Sequence, residues 1–235
     1  MNNQFSVQDL HAYYGQSHIL QGVTLSINMG EVVALLGRNG AGKTTTFKAI
    51  VGLIRKLYGS VKIGDQELVG LDTHNIARKG IAYVPSGRRS FPHLTVQENL
   101  RIALEGQAKR RGKHNLELVY EMFPALRKRM NTAAGVISGG ENQMLKMACA
   151  FLTEPKVLLL DEPTEGLAPL VVKELQDHIR KLADTGVGIL LAEQNAHFAF
   201  SLSTRAYVLN KGVVQMSGDV QELSADNDML KHLGI

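Results

Sequence analysis

The sequence predicts an α/β protein with a mostly parallel sheet, an antiparallel β-subdomain near its N-terminus and a helical subdomain inserted between two core strands. Three observations carry this prediction. Val32-Val33-Ala34-Leu35-Leu36 is a continuous apolar run, too short for a helix and typical of a strand buried on both faces. Similar runs return at 81–84, 157–160 and 187–192 with helical segments between them, the alternation of a wound sheet. Residues from about 93 to 152 break that rhythm and read as consecutive helices (96–105, 115–129, 139–152) with no strand among them.

Taken in order, residues 4–13 and 18–29 alternate apolar and polar positions around Tyr14-Gly15, which predicts two antiparallel strands. The buried strand at 32–36 runs into a glycine-rich loop and then a helix from about 43 to 53. Residues 219–235 read as one or two short helices. The expected organisation is a single domain over 1–235, with about 1–92 and 153–235 forming a core with its β-subdomain and about 93–152 the helical insert.

Composition narrows the function classes. The chain has 44% hydrophobic and 20% charged residues, the balance of a globular protein. No run approaches the roughly 18 apolar residues of a membrane-spanning helix, and MNNQFSVQDL lacks the pattern of a secretory signal. The lone Cys149, set in the run MACAFL, excludes an internal disulfide and reads as a buried structural thiol in a reducing cytosol. The net charge of +4 suits anionic partners, but Lys and Arg are spread along the chain, which argues against nucleic acid. The densest basic run, Lys109, Arg110, Arg111 and Lys113, reads as a solvated loop.

Gly37-Arg38-Asn39-Gly40-Ala41-Gly42-Lys43-Thr44 fits G-x-x-x-x-G-K-[ST], the phosphate-binding loop of P-loop NTPases. Glycines let backbone N–H groups curl around phosphates, and the following helix turns its positive end on the same anion. Lys43 is placed to reach the β- and γ-phosphates of ATP, with Thr45 beside it, and the Thr44 hydroxyl to ligate Mg²⁺. Val157-Leu158-Leu159-Leu160-Asp161-Glu162 is a buried strand ending in two carboxylates, at the sheet edge where ligands gather. Asp161 suits the Mg²⁺ shell, and Glu162, one residue further, suits polarising a water aimed at the γ-phosphate.

A second anion site stands in Ile137-Ser138-Gly139-Gly140-Glu141-Asn142-Gln143: a hydroxyl, two unobstructed amides and a helix N-terminus. Alone it reads first as a serine-capped helix. Together with Asp161-Glu162-Pro163-Thr164-Glu165-Gly166-Leu167, however, it resembles the signature, extended acidic strand and following loop of ABC ATPases. The resemblance spans Phe5 to Ile235. It implies a P-loop NTPase core and a two-fold sandwich, in which each ATP is gripped by the phosphate loop of one copy and by Ser138, Gly139 and Gly140 of the other.

Within that superfamily, Tyr14-Gly15, Tyr83-Val84-Pro85, Gly87-Arg88-Arg89-Ser90-Phe91-Pro92, Leu94-Thr95-Val96, Gly166-Leu167-Ala168-Pro169 and Ala192-Glu193-Gln194-Asn195-Ala196-His197 look like the ATPases of branched-chain amino acid uptake systems. Urea and short-amide importers share much of this pattern. The resemblance implies membrane-spanning permease subunits, a second ABC ATPase subunit (identical or paralogous) and, indirectly, a solute-binding protein as partners. A groove near Ser86 and the helical subdomain would receive a short helix from each permease subunit. The expected location is cytoplasmic, peripheral at the inner face of the cell membrane. Tyr14 matches the family's adenine-stacking aromatic, while Tyr13 should face the other side of the strand.

The chain departs from the family pattern at two positions. Ser86 stands after IAYVP where relatives carry Gln or Glu, and it is too short to reach Mg²⁺ except through water. Gln194 stands where the superfamily usually places a His that contacts the γ-phosphate; it can donate a hydrogen bond but cannot become cationic. His197, three residues on, reads as a surface or packing residue. Other ABC classes fit less well: repair ATPases carry long coiled-coil inserts and translation factors two cassettes in one chain. A P-loop kinase has no need of ISGGENQ, and a degenerate nucleotide-binding module has no need of Lys43, Thr44, Asp161 and Glu162 together.

Overall fold

The computed structural model describes residues 4–87, 90–106 and 115–225. Two long strands, β1 (Gln4–Tyr14) and β2 (Ser17–Asn28), pair antiparallel from Tyr14↔Ser17 to Gln4↔Asn28. Then come β3 (Val32–Leu36) and α1 (Lys43–Ile50), followed by β4 (Lys56–Ile63) and the short β5 (Gln66–Glu67). The chain continues through α2 (Thr73–Arg78) and β6 (Ile81–Val84) into four helices: α3 (Val96–Glu105), α4 (Leu116–Met122), α5 (Pro124–Lys128) and α6 (Gly139–Leu152). It returns to the core with β7 (Val157–Asp161), α7 (Pro169–Asp184), β8 (Gly188–Glu193), α8 (Ala196–Leu202), β9 (Arg205–Asn210), β10 (Val213–Asp219) and α9 (Val220–Ser224).

The strands form two sheets. One is antiparallel, in the order β2-β1-β4-β5; the other runs β10-β9-β3-β8-β7-β6. In the larger sheet every neighbouring pair from β9 to β6 is parallel, and β10 alone runs antiparallel at the edge. β3 and β7 are buried along their whole length, so their side chains serve two cores alternately. Val33, Leu35 and Leu159 join Phe5, Val7, Phe47 and Ile50 between the sheets. Ala34, Leu36, Leu158 and Leu160 join Leu145, Phe151, Ile179 and Phe198 under the helices of the other face. Because β3 sits between β8 and β9, with β7 beyond β8, the loops leaving β3, β7 and β8 converge at one edge, where Leu36 pairs with Glu193 and Asp161 with Ala192. That edge is where a wound sheet gathers a ligand.

Several predicted elements differ in detail. The helix expected over 43–53 ends at Ile50, with Gly52 at φ +74 turning the chain away. The helix expected over 115–129 is two, divided at Phe123 (φ −127, ψ 70), because Pro124 cannot donate into the preceding turn. The pairs β4–β5 and β9–β10 and helix α2 have no counterpart in the sequence prediction. Of the helices expected over 219–235, α9 occupies Val220–Ser224, and residues beyond 225 lie outside the described residues. The same holds for the basic run at 109–113 and for Arg88 and Arg89.

Candidate functional site

The phosphate loop links β3 to α1. Gly40 (φ +78) and Gly42 (φ +114) occupy the left-handed region that lets successive amides face one concavity, and Gly42 stands directly before α1. Gly37 is a glycine for another reason. A Cβ there would lie 2.5 Å from the Leu209 carbonyl oxygen and 2.9 Å from Ala41 Cβ, so it is the close approach of β9 that excludes a side chain. Lys43 is only 4% exposed. Its Nζ donates to the carbonyls of Gly37 (2.6 Å) and Arg38 (3.1 Å) and pairs with Glu162 Oε1 at 2.9 Å.

The loops after β7 and β8 close the site. The buried Asp161 accepts from the Thr44 hydroxyl at 3.1 Å through Oδ1 and from the Tyr83 hydroxyl at 2.9 Å through Oδ2. Burial pushes its carboxyl above the usual range, against the two hydroxyl hydrogen bonds. Glu162 sits at φ +47 immediately beyond the strand, held by its N–H to the Ala192 carbonyl at 2.9 Å. The exposed Gln194 donates from Nε2 to Asn39 Oδ1 at 2.8 Å and lies 3.2 Å from both Glu162 carboxylate oxygens. The phosphate loop, the strand-end acid Glu162 and Gln194 thus meet in one hydrogen-bonded group.

A cavity of about 480 Å³ opens over this group, lined by Tyr14, Asn39, Gly40, Ala41, Gly42, Lys43, Thr44, Thr45, Ser86, Glu162 and Glu165. Tyr14, at the end of β1, is half exposed and faces the cavity. Tyr13 turns the other way, stacked on His18 at 4.2 Å. Ser86 also lines the cavity, whereas Asp161, Gln194 and the exposed His197 on α8 do not.

Ser138, Gly139 and Gly140 do not line it either. Ser138 caps α6: its hydroxyl accepts from the Glu141 N–H (3.2 Å), and Glu141 accepts in return from the Ser138 N–H (2.8 Å). Gly139 faces a neighbouring cavity of about 400 Å³, lined also by Gly87, Gln143, Lys146 and Leu167, and Glu162 and Glu165 line both cavities. Gly140 is pressed against α7, where a Cβ would meet Val171 Cγ1 at 2.3 Å.

Sequence reasoning missed two members of this arrangement, Tyr83 and Glu193, and one contact of a third. Tyr83 anchors Asp161, and its position on the apolar strand IAYV carried no signal of that contact. Glu193, 3% exposed, accepts from the Thr164 N–H at 3.2 Å and the Thr164 hydroxyl at 2.7 Å. A carboxylate ending the apolar run GILLA could have been noticed. Asn39 was expected as a loop residue but not as the partner of Gln194.

A family model described as ABC transporter matches residues 20–165. The chain is 42% identical over 211 residues to the "High-affinity branched-chain amino acid transport ATP-binding protein BraG" of Pseudomonas aeruginosa, covering 90% of this chain and 91% of that one. It is 34% identical over 230 residues to the "Lipopolysaccharide export system ATP-binding protein LptB" of Haemophilus influenzae, covering 95% and 94% respectively. Among solved structures, the ADP conformation of an ATP-binding cassette of an ABC transporter superposes with a TM-score of 0.84 at 23% identity, covering 98% of both chains, a likeness of fold.

Proposed function

The chain belongs to the ABC transporter family and is an ABC ATPase subunit, and we propose that it drives an importer of branched-chain amino acids or related small polar solutes. The observation that carries its hydrolytic role is the contact group Lys43–Glu162–Gln194–Asn39, which puts a cation, a carboxylate and an amide at the mouth of the phosphate loop. In this reading Lys43 and the amides of residues 39–45 hold the phosphates of ATP, and Tyr14 stacks on the adenine. Glu162 orients the attacking water, and Gln194 donates toward the γ-phosphate. Thr44 and Asp161, already in contact at 3.1 Å, offer the oxygen donors that Mg²⁺ favours, and Ser86 adds a hydroxyl reached through water. Mg²⁺ bound there supplies charge neutralisation at the phosphates.

That Ser138, Gly139 and Gly140 stay outside the phosphate-loop cavity, although Glu162 and Glu165 also line the cavity beside Gly139, supports their action in trans, on the nucleotide held by a second ABC ATPase subunit. Residues 93–152 then act as the helical subdomain that carries this element to the partner. Among the described residues no helix is long and apolar enough to cross a membrane. The subunit is proposed to sit on the cytoplasmic face, held by permease subunits docked in a groove between the helical subdomain and the loop containing Ser86. The likeness to an export ATPase supports export as a second reading, since cargo is selected by other subunits.

The hydrolytic role is tested with Glu162→Gln. ATP binding should persist, hydrolysis should fall by roughly two orders of magnitude, and a closed dimer should accumulate. Turnover at the parent rate refutes the assignment. Radiolabelled leucine uptake, set against lipid release, by vesicles carrying the co-purified complex separates import from export.

A further inference from the structure

The proposed docking groove has a chemical character that specifies its occupant. It encloses about 580 Å³ between α2, β6, α3 and α6, and its lining is almost wholly apolar. Three large apolar side chains face outward there: Leu53 is 56%, Phe91 59% and Ile102 46% exposed. Phe91 is not loosely held. Its N–H donates to Asn99 Oδ1 at 2.9 Å and its carbonyl accepts from Asn99 Nδ2 at 3.1 Å. Asn99 Nδ2 also bonds the Thr95 carbonyl at 2.9 Å, fixing the loop to α3. An exposed aromatic on such a mount is preorganised as an anchor.

Within this apolar wall stands Lys146, the only charged side chain among the described residues that line the groove. It projects from α6, and its ammonium carries three donors. One weak acceptor meets them, the Pro85 carbonyl at 3.4 Å, and no carboxylate among the described residues comes within salt-bridge distance. The Ser90 hydroxyl, also in the wall, is buried and finds no partner among the described residues. A half-buried cation and a buried hydroxyl, both with unused donors, ask for acceptors that the described residues do not provide.

Resting on the permease-docking reading above, we infer that the segment entering the groove presents an apolar face to Leu53, Phe91 and Ile102 and one Asp or Glu carboxylate to Lys146. The apolar anchors supply contact area, and the carboxylate fixes register and selects the partner, because an apolar segment without it would leave the ammonium buried and unpaired. Lys146 bonds the carbonyl next to Ser86 and also lines the Gly139 cavity. The charge contact therefore reaches the signature helix directly. Burial lowers the Lys146 pKa, and a facing carboxylate would oppose that shift.

The test uses the complex co-purified with its own membrane subunits. Lys146→Met keeps length and apolar contact and removes the charge, so association should weaken on the order of thirtyfold or more, with Lys146→Arg near the parent. Carbodiimide treatment of the parent complex should join Lys146 to an Asp or Glu of a membrane subunit. Equal association of Lys146→Met and parent, equal weakening by Met and Arg, or no such junction overturns the pairing. Leu53→Asp and Phe91→Asp test the docking reading separately. If both associate like the parent, the groove is not the docking surface, whereas loss in these two with an unaffected Lys146→Met leaves docking intact and removes the carboxylate.

Discussion

Gly140 offers a prediction whose size follows from geometry. An alanine methyl there lies 2.3 Å from Cγ1 and 3.3 Å from Cγ2 of Val171, where carbon pairs rest at about 3.5–4.0 Å. Valine in a helix has one strongly preferred rotamer, so Val171 cannot swing aside and α6 must shift against α7. Overpacking of this kind costs about 1–3 kcal/mol. For a chain of this length each kcal/mol lowers Tm by about 2–4 °C, so Gly140→Ala should melt about 2–12 °C below the parent. Val171→Ala removes both clashing methyls and leaves only Cβ, at 3.4 Å. The double variant should therefore melt close to Val171→Ala alone, a non-additive result in a thermal melt. ATPase measured alongside separates two reasons for the glycine. If turnover lost in Gly140→Ala returns in the double variant, helix packing was the need; if stability returns without turnover, an open backbone at the start of α6 is required by the nucleotide. An unchanged Tm for Gly140→Ala refutes the clash argument.

The remaining predictions concern the nucleotide and the fold's charge pairs. Gln194→Ala should slow hydrolysis roughly ten- to a hundredfold with little change in ATP affinity, since a hydrogen bond to a charged group contributes about 1.5–3 kcal/mol. Gln194→His should stay active and His197→Ala should match the parent; a crippled His197→Ala with a normal Gln194→Ala would reverse the assignment. Ser138→Arg should leave ATP binding to the isolated chain intact and block ATP-driven dimerisation, read by size-exclusion chromatography. Loss of monomer binding would put Ser138 in its own chain's site. Burial raises the Glu31 carboxyl, but the Arg205 contacts at 2.7 and 2.9 Å and the Asn28 amide outweigh this and hold it below its ordinary 4.5. That stabilisation is complete above the ordinary value and is lost as pH falls through the lower folded one. Glu31→Gln should accordingly flatten the acid side of the Tm–pH curve, and an unchanged acid slope contradicts the pairing.

What the sequence made legible followed from period and spacing. The fully buried β3 and β7 show as unbroken apolar runs because both faces are covered, and Gly40 and Gly42 show because left-handed φ values leave few alternatives. The strands β9 and β10 were hidden because β9 mixes its apolar run with Tyr207 and Asn210, and β10 lies at an edge with exposed Gln215 and Ser217. Likewise β4 opens with Lys56, Tyr58 and Gly59 and gains its order chiefly from pairing with β1 across about fifty residues of chain. Gly37 and Gly140 fit anion-binding motifs by spacing, yet three-dimensional packing against Leu209 and Val171 also demands them. A motif cannot reveal that second constraint.

Beneath the exposed site residues lies a polar floor that decides which parts of the site can move. Glu193 takes two hydrogen bonds from Thr164, in the loop leaving β7, and one at 3.3 Å from the Gln194 N–H, in the loop leaving β8. Burial pushes its carboxyl up, and the surrounding N–H and O–H donors push back. One buried carboxylate therefore ties the loop of Glu162 to the loop of Gln194, and neither backbone can shift without leaving buried donors unpaired. Side-chain rotation is not constrained in this way. The Gln194 amide is exposed and among the described residues bonds only to Asn39 and Glu162, so it can turn toward a γ-phosphate by exchanging hydrogen bonds that water or nucleotide oxygens replace. Exchange of this kind needs no charge on the side chain, so an uncharged glutamine can serve at this position.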